Sequence, residues 1–220
     1  MIVTDPLTSS GMGAFIEARG GTHDRFKLGY RSVIDRAAAT APEQALLAIE
    51  TSGHSAWRDN AFVDDGCYTA ARLLGRLARF RRETGRPRGG VLEILGQGPP
   101  APKSTLKVRV PVASLGAVAA AGARLEAALA ACAAAEPGWE VETVNHFGLR
   151  CSVGVDWVLV RASLHEPNLY VHAESGKAEG AQKLVATLLA YLGDLGETAD
   201  LSALRAAAVP RGHAPHGAHA

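Results

Sequence analysis

Pro and Gly are densest between residues 85 and 102, and this segment limits how the chain can fold more than any other feature. It reads GRPRGG (85–90), VLEIL (91–95) and GQGPPAP (96–102), so a short apolar run of strand type stands between two turn-rich stretches. Because Pro and Gly interrupt helices and strands, the chain should divide here. We predict a first domain over residues 1–95, a linker over 96–103, a second domain over 104–205 and a disordered tail over 206–220.

The first half alternates between short apolar runs and helical periodicity, which predicts strands and helices in turn. Leu46–Ile49 is the clearest strand candidate, because this apolar run is bounded by Glu50 and Gly53. From Asp65 to Phe80 the apolar positions recur at helical spacing, and Asp64 or Asp65 is suited to cap that helix. The other predicted elements are a strand at Ile2–Val3 and helices at Met12–Glu17 and Ser32–Ala39.

The second half has a different pattern, with several short strands between two helices, and this predicts an α+β domain. The predicted helices are Ala113–Ala135 and Ala178–Leu192. The predicted strands alternate apolar and polar residues and are expected to pair antiparallel. They are Thr105–Val112, Trp139–Val144, Leu149–Val153, Trp157–Arg161 and Leu169–Ala173.

Charge and hydropathy argue against several kinds of partner. The 220 residues carry 23 Lys and Arg against 22 Asp and Glu, a formal net charge of +1, so no overall attraction to nucleic acid or anionic lipid is expected. Arg124 and Glu126 interrupt the Ala-rich run over residues 112–135, so we expect no membrane span. The N-terminus does not resemble a signal peptide, which predicts a cytoplasmic protein. Three widely spaced Cys predict neither a disulfide framework nor a zinc site.

Three short segments carry more polar residues than their apolar flanks. RFKLGYR (25–31) places cations around Gly29 just before a helix, where Lys27 and backbone amides could hold an anion, although an exposed basic turn is the simpler interpretation. ETSGH (50–54) directly follows a strand, and a carboxylate beside Ser and His suits a sugar with vicinal hydroxyls. A Gly turn with a capping Ser52 and a surface His54 explains the same residues equally well.

The third segment, RASLHEP (161–167), also lies at the end of a predicted strand. Arg161 offers a bidentate fork, and Ser163, His165 and the turn amides add donors, which together suit a phosphate group. The alternative is a structural turn fixed by Pro167.

Taken together, these segments and their flanks resemble the α-D-phosphohexomutase family, whose phosphoglucomutases and phosphomannomutases move phosphate between C1 and C6 of a hexose. IVTD (2–5), HDRFKLGYRSVI (23–34), ETSGH and DNAFVDDGCYTAARLL (59–74) resemble the family's third domain. WVLVRASLHEP (157–167) and YVHAES (170–175) resemble the phosphate loop of its fourth domain. The resemblance covers about residues 2–205, almost the whole chain.

The resemblance implies a fold and a set of site residues. It implies a three-layer α/β domain followed by an α+β domain like that of the TATA-binding protein. Glu50 would accept the sugar 3- and 4-hydroxyls, and the other substrate-binding residues would be Ser52, Gly53, His54, Lys27, Gly29 and Tyr30. The phosphate-binding residues would be Arg161, Ser163 and His165.

The sequence also departs from the family. Leu164 and His165 stand where family members commonly have Asn or Gly followed by Thr, and Tyr30 stands where some have His. No loop like T-A-S-H-N-P, which would carry the phosphoserine, and no metal loop like D-G-D-x-D-R occurs in these 220 residues. The family implies Mg²⁺ and a hexose 1,6-bisphosphate, but the metal ligands and the catalytic serine would have to come from elsewhere.

We therefore predict the C-terminal half of a phosphoglucomutase or phosphomannomutase, which binds hexose 1-phosphate or 6-phosphate and does not turn over alone. Two alternatives remain open. The chain could be a non-catalytic phosphosugar-binding protein, or a subunit that completes an active site with an N-terminal mutase half. It could also be a degenerate fragment that folds poorly and exposes apolar patches. The preference among glucose, mannose and glucosamine phosphates does not follow from these residues.

Overall fold

The computed structural model describes residues 1–40, 44–86, 93–94, 98–99, 101–163, 165–193 and 198–209. The chain divides into two compact units, Met1–Ala101 and Pro102–Ala220, and the division falls inside the segment predicted as a linker. Of the run predicted as a strand over residues 91–95, only Glu93 and Ile94 are described, and their backbone is helical.

The first domain contains a four-stranded sheet of order β2-β1-β3-β4. Its strands are β1 (Ile2–Thr4), β2 (His23–Arg25), β3 (Leu47–Ile49) and β4 (Ser55–Trp57). β1 pairs parallel with both β2 and β3, and β4 pairs antiparallel with β3. The carboxyl ends of β1, β2 and β3 therefore meet at one edge of the sheet. β2 and β4 were not predicted, because His23–Arg25 has no apolar residue and Ser55–Trp57 does not form an apolar run like those of β1 and β3.

Helices cover both faces of this sheet, which makes the first domain a three-layer α/β fold. They are α1 (Ser10–Glu17), α2 (Tyr30–Ala39) and α3 (Gly66–Thr84). Val3 and Ala48 pack with Val33 and Ala37 of α2, whereas the alternate strand residues line a cavity beside α1. Asp65, rather than Asp64, caps α3 by accepting a hydrogen bond from the Tyr68 amide at 2.9 Å.

The second domain contains a five-stranded antiparallel sheet of order β5-β9-β8-β7-β6. Its strands are β5 (Ser104–Pro111), β6 (Trp139–Val141), β7 (Leu149–Val153), β8 (Asp156–Ala162) and β9 (Asn168–Ser175). The helices α4 (Val118–Ala135), α5 (Gly180–Leu192) and α6 (Ser202–Ala207) pack with one set of alternating strand residues in a single core. The other set, which includes Arg161, Tyr170 and His172, points to the opposite face.

α4 differs from its prediction in two respects. A 3₁₀ turn occupies Leu115–Ala117, so the α-helix begins at Val118 and not at Ala113. Leu115–Ala135 has a mean hydropathy of 1.4, so by length and composition this segment could cross a bilayer. The prediction of no membrane span underestimated this hydropathy. One face of α4 nevertheless packs in the second core, through Val118, Ala121, Gly122, Leu125, Ala128, Leu129 and Cys132.

The C-terminal end of the second domain extends further than predicted. α6 runs to Ala207, two residues into the segment expected to be a tail, because Leu204 is buried and holds the helix in the core. Residues 210–220 lie outside the described part of the chain.

Candidate functional site

Asp5 fixes the segment over residues 50–54 to the edge of the first sheet. Its side chain, at the end of β1, is fully buried. One carboxylate oxygen accepts hydrogen bonds from the Thr51 amide at 2.8 Å and the Thr51 hydroxyl at 2.7 Å, and the other accepts from the Leu7 amide at 2.7 Å. Because β1 and β3 are parallel neighbours, these groups meet at their carboxyl ends. The loop after β3 is therefore anchored through Thr51, although residues 51–54 are all exposed.

Glu50 joins two of the three segments that the sequence singled out. Its Oε1 accepts a hydrogen bond from the Gly29 amide at 2.7 Å, and its Oε2 accepts one from the Ser52 hydroxyl at 2.9 Å. Gly29 has φ +114°, a backbone conformation that L side chains rarely adopt, and this conformation lets its amide reach the carboxylate. The half-buried Glu50 carboxylate is thus held in a fixed orientation at the sheet edge.

His54 and Tyr30 form a second contact between the same segments. The two rings stack with centroids 4.7 Å apart and an interplanar angle of 23°. His54 Nδ1 lies 2.7 Å from Asp64 Oδ2. A carboxylate at this distance accepts a hydrogen bond from Nδ1, so Nε2 is the ring nitrogen that remains for a ligand hydroxyl.

Lys27 and Gly53 have smaller roles in this geometry. The Gly53 amide donates to the Glu50 carbonyl at 2.9 Å and closes the turn over residues 50–53. Lys27 is exposed, with Nζ 5.7 Å from the centre of the Phe26 ring, and no ion pair among the described residues includes it. The structure therefore brings Gly29 and Tyr30 to the loop after β3 and leaves Lys27 outside that cluster.

Arg161 lies at the end of β8 between two aromatic rings. Its Cζ is 4.1 Å from the centre of the Tyr170 ring and 5.3 Å from that of Phe147. Its Nε is buried and has no hydrogen-bond partner among the described residues. Burial lowers the pKa of the guanidinium from its ordinary value, but an arginine remains a cation at neutral pH. The side chain is a rigidly held positive charge.

The loop after Arg161 is closed by its own hydrogen bonds. Ser163 Oγ accepts from the His165 amide at 3.4 Å and from the Glu166 amide at 3.2 Å. The turn amides that the sequence suggested as phosphate donors are directed to Ser163 in this structure. His165 is exposed, and Leu164 lies outside the described residues.

Sequence reasoning missed the residues that hold these groups in place. Asp5 was noted only within the IVTD motif (2–5), and Asp64 only as a possible cap. Phe147 and Tyr170 were not singled out for contact with Arg161. The register could have indicated Tyr170, because it pairs directly with Arg161 across β8 and β9.

His172 makes the stability of the second domain depend on pH. It is 5% exposed, and burial lowers its pKa to about 4, with smaller contributions from Arg161 and Lys107. Below the ordinary value of 6.5 the unfolded chain binds a proton that the folded chain does not, so the free energy of unfolding falls as the pH falls. We expect a loss of about 2 kcal/mol between pH 7.5 and 5.

The measurement is urea unfolding at both pH values, read from hydrogen exchange in β8 and β9. His172→Phe cannot titrate and serves as the reference, because all other groups contribute equally to both proteins. Equal pH dependence of the two proteins would contradict the prediction.

No group of three or more His, Cys, Asp or Glu side chains in the described part of the chain is arranged to hold a metal ion.

Comparison with known proteins supports the family resemblance and the fold. A family model described as phosphoglucomutase/phosphomannomutase, alpha/beta/alpha domain III, matches residues 1–92. Phosphoglucosamine mutases from two strains of Nitratidesulfovibrio vulgaris, DP4 and Hildenborough, are each 31% identical over 133 residues, which is 59% of this chain and 27% of theirs. This chain therefore spans about a quarter of the length of these curated relatives.

A solved phosphoglucomutase/phosphomannomutase family protein from Burkholderia thailandensis has a similar fold, with a TM-score of 0.65 and 24% identity. The match covers 87% of this chain and 36% of that one, so it extends over both domains. The α/β domain and the α+β domain thus have the predicted fold classes. The comparisons thus support the resemblance of this chain to the C-terminal part of the α-D-phosphohexomutases, and the family model matches its first domain.

Proposed function

We propose that this chain recognises a hexose phosphate for 1,6-phosphoryl transfer, with a sugar-binding loop in its first domain and a phosphate-binding arginine in its second. The main support is that the segments over residues 25–31 and 50–54 converge on the Glu50 carboxylate. A surface turn would not require a Gly amide and a Ser hydroxyl to hold both oxygens of one half-exposed carboxylate.

In the first domain, Glu50 accepts hydrogen bonds from vicinal sugar hydroxyls. Each carboxylate oxygen has two lone pairs and receives one donor inside the protein, so each can accept a further one. His54 Nε2 accepts a hydrogen bond from another hydroxyl, because the Asp64 carboxylate favours the tautomer that carries its proton on Nδ1. Tyr30 stacks on the imidazole and limits its rotation. These contacts serve several hexose epimers equally well.

In the second domain, Arg161 binds the phosphate that does not react. A guanidinium can donate two parallel hydrogen bonds to phosphate oxygens. Phe147 and Tyr170 fix its plane, so little side-chain freedom is lost on binding. Ser163 and His165 would adjust to the ligand, because one is engaged in the turn and the other is exposed.

The family uses Mg²⁺ and a bisphosphorylated sugar intermediate, with phosphoryl transfer to and from a serine. We propose that the catalytic serine and the metal ligands belong to an N-terminal mutase part. On this proposal the chain alone binds substrate without turnover. Mutase activity from the purified 220-residue chain would contradict this part of the proposal.

Calorimetric titration of the chain with glucose 1-phosphate, mannose 1-phosphate and hexose 1,6-bisphosphate tests the proposal. Arg161→Ala should weaken binding of all three at least tenfold, about 1.4 kcal/mol, because a charge-assisted bidentate contact is lost. Glu50→Gln should lower the affinity for the sugar phosphates and leave the affinity for inorganic phosphate unchanged, since Glu50 contacts only the sugar.

Arg124→Ala, which removes an exposed cation from α4, is the matched control for charge and should bind like the original chain. The proposal is wrong if the folded chain binds none of the sugar phosphates, or if Arg161→Ala binds them as well as Arg124→Ala does.

A further inference from the structure

Glu166 is an acidic residue inside the loop proposed to bind phosphate. A carboxylate so close in sequence to Arg161 could pair with its guanidinium and would also repel a phosphate group. The structure shows how this is avoided. Glu166 Oε2 accepts hydrogen bonds from the Asn168 side-chain amide at 3.1 Å and the Tyr170 hydroxyl at 3.2 Å, and it forms an ion pair with Arg109 Nη2 at 3.7 Å. None of the ion pairs between described residues includes Arg161.

Tyr170 contacts both Arg161 and Glu166. It lies on β9 directly opposite Arg161 of β8 and Arg109 of β5. Its ring lies 4.1 Å from Cζ of Arg161 and 5.7 Å from Cζ of Arg109, while its hydroxyl donates to Glu166. A Tyr side chain has two rotatable bonds, so fixing the ring against Arg161 also fixes where the hydroxyl can hold Glu166.

We propose that Tyr170 is a positioning residue for phosphate binding: its ring orients Arg161, and its hydroxyl holds the Glu166 carboxylate on Arg109 and away from Arg161. Arg161 thereby remains an unpaired cation although an acid lies in the same loop. This inference rests on the proposed phosphate site. It assigns separate tasks to the ring and the hydroxyl, which single substitutions can separate.

Tyr170→Phe removes the hydroxyl and keeps the ring. Glu166 then loses one of its two hydrogen bonds and can turn toward Arg161, so we expect the affinity for inorganic phosphate and glucose 1-phosphate to fall about three- to tenfold. Glu166→Gln removes the competing charge. In that background Tyr170→Phe should have no effect on affinity, because there is no carboxylate left to hold.

An NMR spectrum of the Arg161 Nε–H group tests the role of the ring independently of binding. Tyr170→Phe should leave the ring-current shift of this resonance in place, and Tyr170→Leu should remove it. A purely structural role for Tyr170 predicts equal losses of affinity with and without Glu166→Gln.

The two proposals fail in different ways. If Arg161→Ala does not weaken phosphate binding, the proposed phosphate site is wrong. Suppose instead that Arg161→Ala abolishes phosphate binding. If Tyr170→Phe then binds phosphate normally, or loses the same affinity with and without Glu166→Gln, the phosphate site is supported and the proposed role of Tyr170 is wrong.

Discussion

Replacing Gly148 by Ala should destabilise the second domain by at least about 3 kcal/mol, well above the cost of the same change at Gly138. Both glycines have φ +79°. A Cβ at position 148 would lie 2.2 Å from the Val160 carbonyl oxygen, 2.7 Å from Arg161 Cβ and 3.0 Å from Arg161 Cα, whereas one at position 138 would meet no atom within 4 Å. Gly138→Ala therefore measures only the free-energy cost of placing an L residue at positive φ, about 1–2 kcal/mol.

Urea unfolding of the two variants, read from hydrogen exchange in β7 and β8, gives the difference directly. The clash is with backbone and Cβ atoms, so no flexible side chain can move aside to relieve it. Relief requires the loop before β7 to shift, and this loop carries Phe147, which packs on Arg161. Gly148→Ala should therefore also weaken phosphate binding, while Gly138→Ala should not. Equal destabilisation by both variants would show that the close approach at Gly148 is easily relieved.

The length and pattern of each element decided whether the sequence could predict it. Long elements were predictable because their periodicity is sustained, as in α3, α5 and the strands of the second sheet. The three-residue strands β2 and β4 were not, because their formation depends on neighbouring strands rather than on local pattern. The start of α3 was narrowed to two adjacent aspartates, and only the structure assigned one to the cap and the other to His54.

The candidate site also combines residues that the sequence predicted with residues that it did not. The segments containing Glu50 and Arg161 were found because polar residues directly follow apolar strands. Their supporting residues were missed because the contacts arise only in the fold. Asp5, for example, is 46 residues from Thr51, and its contact exists only because β1 and β3 are neighbours. Contact at such distances follows from the order of strands, which no local pattern in this chain encodes.

The buried ion pair between Glu142 and Arg150 is the second feature with a large expected effect. Arg150 is 2% exposed, its Nε donates to Glu142 Oε1 at 2.9 Å, and its Cζ lies 3.8 Å from the centre of the Trp157 ring. Glu142→Leu removes the carboxylate and leaves a buried guanidinium charge, which should lower the free energy of unfolding by about 3–5 kcal/mol. Glu140→Leu, at an exposed position of β6, is the control and should change it by less than about 1 kcal/mol.

The double variant Glu142→Leu/Arg150→Met separates the cost of an unpaired charge from the value of the pair. If desolvation of the charges roughly cancels their attraction, the double variant should recover most of the stability that Glu142→Leu loses. The Arg150 backbone amide also donates to the Asn145 side chain at 2.7 Å, and this contact remains in both variants, so the loop that carries Phe147 should stay in place. Phosphate binding by the folded protein should therefore be unchanged in both variants. A double variant as unstable as Glu142→Leu would show that the pair itself stabilises the fold, through its stacking on Trp157 and its hydrogen bonds.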